Sequence, residues 1–268
     1  MPNAPSSTLF AWVHPLAIDP KLDHTWVTSY APPPVFDTPA DLPAGALYWY
    51  CWGSYHPAGQ GGTGPNQPGG IGEAPGDLAL SSCICSPNDI HAHGSIFIYG
   101  IDGVCHQLAN QVLYSTAGPL TVKNARGYAI SSWLYGTYGS NTTDWANLLK
   151  SCAGTAAHPT SPASGMSDEF DQQITAALGE DFDAAKRAQL RELRGGFESE
   201  TQALKSQISE LVADDLSRQL NHLVNSYLMR AAEILGPGDY EKLFGTAAGE
   251  TVTLVDPEMV DLSLKQNR

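Results

Sequence analysis

Basic residues are scarce: 14 Lys and Arg stand against 28 Asp and Glu, for a formal net charge of −14. Phosphate binding needs clustered cations, so this balance excludes a nucleic-acid binder as the expected class. Long apolar runs are missing as well. No stretch reaches the roughly 18 apolar residues of a membrane span, and residues 1–16 lack the basic start and apolar centre of a signal peptide. Charge of either sign is sparse at 16%, while 42% of residues are hydrophobic, which excludes disorder. Cysteine is rare and odd in number, at positions 51, 83, 85, 105 and 152. That count predicts reduced thiols in a cytoplasmic protein rather than a secreted disulfide framework. No Gly-Lys-Ser/Thr follows the glycine-rich residues 59–76, so a phosphate-binding P-loop is excluded too.

What is present is unevenly spread. Residues 1–166 hold nine of the acids, four of the bases, all five Cys, all six Trp and seven of the eight His. This segregation predicts two units: a first over 1–152, a linker over 153–166 rich in Ala, Ser, Thr and Pro, and a helical region over 167–268.

In the first unit, residues 25–30, 47–52 and 95–99 are aromatic and β-branched between Pro or Gly and predict strands, with further strand-like text at 120–122 and 128–135. Residues 59–76 predict a Gly/Pro loop of the length used for lids. Residues 104–114 (VCHQLANQVLY) predict a helix stopped by Gly118-Pro119. In the second unit, residues 183–194 predict a helix that breaks or kinks at Gly195-Gly196. From Leu204 to Leu235 apolar residues keep a three/four spacing, predicting one long amphipathic helix ended by Gly236-Pro237-Gly238. Its stripe has two possible uses, packing on the first unit or forming a homodimer seam. With no Cys and a single His222 this region is not expected to carry chemistry.

The sharpest local signal is Gly100-Ile101-Asp102-Gly103-Val104-Cys105-His106. A cysteine at the first turn of a helix meets unpaired N–H groups and the positive end of the dipole, which lower a thiol pKa and can hold an oxyanion. A thiolate nucleophile needs a base, usually histidine. His24, in Asp23-His24-Thr25-Trp26-Val27, opens a predicted strand and is the first candidate.

A histidine at a strand start, followed 81 residues later by a cysteine that opens a helix in Val104-Cys105-His106-Gln107, resembles the circularly permuted papain-like fold. That grouping includes the lecithin–retinol acyltransferase-like proteins and the permuted NlpC-type hydrolases. The resemblance implies an α+β fold with an antiparallel sheet plus a nucleophile helix, here carrying a C-terminal helical appendage. It further implies Cys105 as nucleophile, His24 as base, no cofactor, and cleavage or transfer at an amide, ester or thioester carbonyl of a small-molecule or peptide acyl substrate. The acyltransferase branch has Asn-Cys-Glu-His where this chain has Val-Cys-His-Gln, and its second histidine is absent. The third member stays open among Asp37, His56 and His93.

Alternatives attach to other residues. His93 also opens a predicted strand, but a continuous strand over 93–99 would hold it about 20 Å from the Cys105 turn. Cys51-Trp52 echoes papain's Cys-Trp pair, yet lies in a predicted strand and reads as a core cysteine. Cys83-Ile84-Cys85 with His91-Ala92-His93 supplies two thiols and two imidazoles for a zinc site, at a spacing unlike the common fingers. His106 is expected to meet substrate or solvent, and Asn110 to be structural. Arg126 suits an anionic group or a surface ion pair. A third function class is a non-catalytic interaction module working through the long amphipathic helix.

Overall fold

The structure, a computed structural model, describes residues 7–30, 45–50, 69–89, 91–153 and 169–267. The predicted α+β class holds at the coarse level: one small antiparallel sheet beside many helices. Strands β1 (Ser7–Pro15), β2 (Asp23–Thr28), β3 (Tyr48–Tyr50) and β4 (Gly69–Gly76) lie in the order β3-β2-β1-β4.

Alternation along the strands gives the sheet two faces. Leu9 and Ala11 of β1 and Val27 of β2 join the main core, while Trp12, Trp26 and Tyr48 form a separate aromatic cluster on the other side. The cross-strand partners Trp12 and Trp26 share that outer face, as do His14 and His24. Trp12 Nε1 donates to Thr28 Oγ1 there, at 2.8 Å.

On the inner face lies α2 (Cys105–Leu113), every residue of which is buried. It is the centre of the molecule, packed by α1 (Leu78–Ile84), α3 (Tyr128–Tyr135) and the sheet, with α4 (Thr142–Cys152) against α1. Such a helix must satisfy its polar side chains internally. Asn110 donates to the Tyr128 hydroxyl and the Thr137 carbonyl and accepts from Val122 N–H. Gln111 accepts from Ser95 N–H and donates to the Tyr138 carbonyl, and Gln107 donates to the Gly136 carbonyl.

These side chains explain two corrections. Residues 95–99 are not a strand: Asp102 takes the Ile98 N–H and Gln111 takes the Ser95 N–H, so no neighbouring strand is needed. Residues 120–122 are likewise irregular, with Leu120 N–H bound by Thr116 Oγ1 and Val122 N–H by Asn110. A third correction is the stretch expected as a strand at 128–135, which is α3. All its residues but Ala129 are buried, so little periodicity marks it, and its aromatic and β-branched content misdirects propensity. Within the glycine-rich segment expected to be a lid, residues 69–76 are β4, paired with β1; residues 59–68 lie outside the described residues.

The C-terminal region contains α5 (Glu169–Leu178), α6 (Ala184–Ser206), α7 (Ala213–Leu235), α8 (Pro237–Phe244) and α9 (Pro257–Gln266). α6 runs through Gly195-Gly196 without breaking. Gly196 serves close approach instead, since a Cβ there would lie 2.7 Å from the Tyr227 hydroxyl of α7. The long helix expected from Leu204 is two helices: α6 ends at Ser206, a 3-10 turn spans Ile208–Glu210, and α7 restarts at Ala213. Asp214 and Asp215 in its first turn complement the new N-terminus.

The α7 stripe of Leu216, Leu220, Val224, Tyr227, Leu228, Ala231 and Leu235 is buried within the chain, chiefly against α6, α8 and α9. Those residues are therefore packed within the chain, while Val212 and Met229 of the same region are exposed. One hydrophobic cluster contains Val27, Leu108 and Trp133 together with Phe170, Phe197, Leu220 and Val255, so the core is continuous across both compositional regions. The linker expected at 153–166 lies, beyond Ala153, outside the described residues.

Candidate functional site around Cys105

The chain reaches Cys105 through a tight turn. Gly100 N–H donates to the Gly103 carbonyl at 2.8 Å, and Ile101 and Asp102 N–H both donate to the Ile98 carbonyl. Gly103 has φ of +154°, a conformation that favours glycine. The Asp102 side chain is fully buried: Oδ2 accepts from Ile98 N–H at 2.8 Å and Oδ1 accepts from Lys205 Nζ at 2.7 Å. Tyr135 of α3 donates to the Gly100 carbonyl at 2.8 Å, and Ser140 N–H to that of Asp102 at 2.9 Å. Val104 then caps α2, its N–H held by Gln107 Oε1.

Cys105 thus opens a helix, as the sequence predicts, and is 4% exposed. Its sulfur faces Thr25 on the inner side of β2, the Tyr99 hydroxyl and the His106 N–H. All of these donors favour a thiolate. Burial is the larger effect, however, and pushes the thiol up, not down as the helix start alone suggested. The Thr25 hydroxyl is buried, at 1% exposure, and makes no hydrogen bond among the described residues, though it lies close enough to the sulfur to favour the thiolate.

β2 alternation decides where His24 stands. Thr25 faces Cys105, so the His24 side chain leaves on the outer face, where its ring lies 5.3 Å from that of His14. His14 in turn lies 5.2 Å from Trp26. The backbone places His24 one residue from the cysteine's neighbour, but its imidazole is not aimed at the sulfur.

His93 is in a turn, with Ile96 N–H donating to its carbonyl, so the extended geometry invoked to set it about 20 Å away does not apply. Its ring packs on Phe97 at 5.1 Å, and burial lowers its pKa against the pull of Asp102 and Asp89.

His106 does not meet solvent or substrate. It is 1% exposed, with Nδ1 2.8 Å from Ser131 Oγ and Nε2 3.0 Å from the Asp23 carbonyl, and burial holds its pKa down at about 4. Both ring nitrogens are engaged, which removes it as a base. Arg126 forms an ion pair with Asp23, Nη2 to Oδ1 at 2.6 Å, rather than standing free for an anionic ligand.

The zinc reading is overturned at its first ligand. Cys83 is bonded to Cys152, and Cys85 is buried with its thiol pushed up to about 12 by desolvation. No group of three or more His, Cys, Asp or Glu among the described residues is placed to hold a metal ion. The expectation of five reduced thiols is corrected by the same bond. Asp37, Cys51 and His56 lie outside the described residues.

Sequence reasoning missed Thr25 and Tyr99, which carry no motif, and also the partner of Cys83. α4 carries a signal that could have found it: Asn141 caps its start, and Trp145, Leu149 and Cys152 are buried at helical spacing. No helix among the described residues is long and apolar enough to cross a membrane. No protein-family model, curated protein or solved structure matches the chain.

Proposed function

We propose that the chain is a cysteine-dependent enzyme of permuted papain-like type, hydrolysing or transferring an acyl group from a small-molecule or peptide amide, ester or thioester. The observation that carries this reading is the convergence on one sulfur of a helix N-terminus, the buried Thr25 hydroxyl and the Tyr99 hydroxyl. An antiparallel sheet with a cysteine-led helix on its inner face is also what such a fold requires.

Cys105 gives up its proton and its sulfur adds to the carbonyl carbon. N–H groups at the start of α2 and the two hydroxyls stabilise the negative charge, and the leaving group departs with a proton. Water or an acceptor alcohol, amine or thiol then releases the acyl group. His24 is the first candidate for the proton acceptor and His93 the second. Among the described residues, β3 pairs only with positions 26–28 of β2, so the His24 end of the strand has β1 alone as neighbour. For His24 to act, its ring must turn around that end when substrate binds.

A second reading, the interaction module, has less support, because most of the α7 stripe is buried within the chain. The cytoplasmic setting expected from the cysteine count has the Cys83–Cys152 bond against it. Cys105→Ala and Cys105→Ser tested against a panel of activated esters, thioesters and amides decide the proposal. Loss of turnover in both, with unchanged circular dichroism, supports it; undiminished turnover in both rejects it.

A further inference from the structure

The disulfide carries information that does not depend on what Cys105 does. It joins the last turn of α1 to the last residue of α4 across 69 positions, and the loop it closes contains α2, α3 and the 100–103 turn. α1 is otherwise held on α2 by Ser81 Oγ, which donates to the Val112 carbonyl at 2.8 Å and lies 2.8 Å from Ser115 Oγ. α4 is held by Trp145, edge-on to Tyr114 and stacked with Tyr138 at 5.3 Å.

The two ends of the bond differ. Cys152 is fully buried, whereas Cys83 is exposed, so an exchange partner approaches from the α1 side. The two free thiols among the described residues, Cys85 and Cys105, are both buried, and burial raises the pKa of each.

We propose that the chain folds in an oxidising compartment, where it acquires Cys83–Cys152 from a disulfide donor, and that this bond is a redox-sensitive clamp on the α1–α2–α4 scaffold. One of the two thiolates attacks the donor disulfide, forming a mixed disulfide and releasing one donor thiol. The other then displaces the second donor thiol. The donor leaves as a dithiol, having taken up two electrons and two protons, and the chain gains one S–S bond.

The test uses the full chain, produced in an oxidising compartment, acid-quenched, alkylated and mapped without reduction. The expected result is a linked peptide pair containing Cys83 and Cys152. Reduction with a phosphine should lower the melting temperature by roughly 10 °C, as a closed loop of this length predicts. The Cys83→Ala/Cys152→Ala chain should melt near the reduced wild type and ignore the phosphine. Alkylated Cys83 and Cys152, a link from either to a different cysteine, or a melting temperature indifferent to reduction of the bond would each overturn the proposal. If the double variant does not fold, the wild type with and without reductant decides.

Discussion

Lys205, in the last turn of α6, places its ammonium 2.7 Å from the carboxylate of Asp102, a side chain with no exposure to solvent. Asp102 also holds the Ile98 N–H, so one carboxylate ties the C-terminal helices to the turn that delivers Cys105. Removing one partner of such a pair leaves an uncompensated buried charge. Lys205→Met is expected to destabilise the chain by about 2–4 kcal/mol, with Asp102→Asn/Lys205→Met recovering part of the loss. Urea unfolding of the three proteins checks this, and equal stability of Lys205→Met and wild type would contradict it.

His106 makes acid stability predictable in sign. Burial holds it at about 4 in the folded chain, against an ordinary value of 6.5. The unfolded state therefore binds the extra proton between those values. Stability is fully present above about pH 6.5 and falls as pH drops towards 4, by roughly 3 kcal/mol from this residue alone. His14 and His93 are lowered by burial too and act in the same direction. Urea midpoints measured from pH 7 to 4.5 should fall with acid, and His106→Gln should flatten the slope.

The Thr25 hydroxyl gives a graded test of the site. Thr25→Val keeps shape and removes a donor from the sulfur, so the Cys105 thiol should titrate at higher pH than in wild type, with Thr25→Ser close to wild type. The Cβ resonance of 13C-labelled Cys105, followed against pH in a Cys85→Ala background, reads this in the folded protein. Identical titrations in Val and Ser variants would show that the hydroxyl does not contact the sulfur.

Adjacent glycines in α6 should respond in opposite directions. A Cβ at position 195 meets nothing within 4 Å, so Gly195→Ala is expected to stabilise by about 0.5–1 kcal/mol through helix propensity. At position 196 the same carbon would press on the Tyr227 hydroxyl, and Gly196→Ala should destabilise by about 1–3 kcal/mol. Thermal melts of the two single variants check the pair.

How much was legible depended on whether local signals and tertiary packing agreed. The helix led by Cys105 and the strand holding His24 and Thr25 were legible because a Gly-rich turn and a β-branched, aromatic run mark them. α3 was not, since a helix buried at all but Ala129 shows no polar face and its Tyr, Ile and Trp favour strands on propensity. The irregular 95–99 segment was misread because Asp102 and Gln111 supply its N–H partners from outside. The α6–α7 break was hidden by apolar spacing that persists across it, although Asp214 and Asp215 mark the restart. At the site, the helix position of Cys105 was visible, but the face of β2 was not. Alternation fixes that His24 and Thr25 oppose each other, and only packing decides which of them meets the sulfur. The pKa direction failed for a related reason: a helix N-terminus is readable in sequence, whereas the depth of burial that outweighs it is not.

The most direct measurement is intact-protein and peptide mass spectrometry after brief incubation with an activated acyl ester or thioester at neutral pH, with hydroxylamine release as a control. The account predicts a single labile acyl adduct on Cys105, absent from Cys105→Ala and weakened in Thr25→Val. Adducts confined to other residues, or none on Cys105 with any acyl donor, would contradict it.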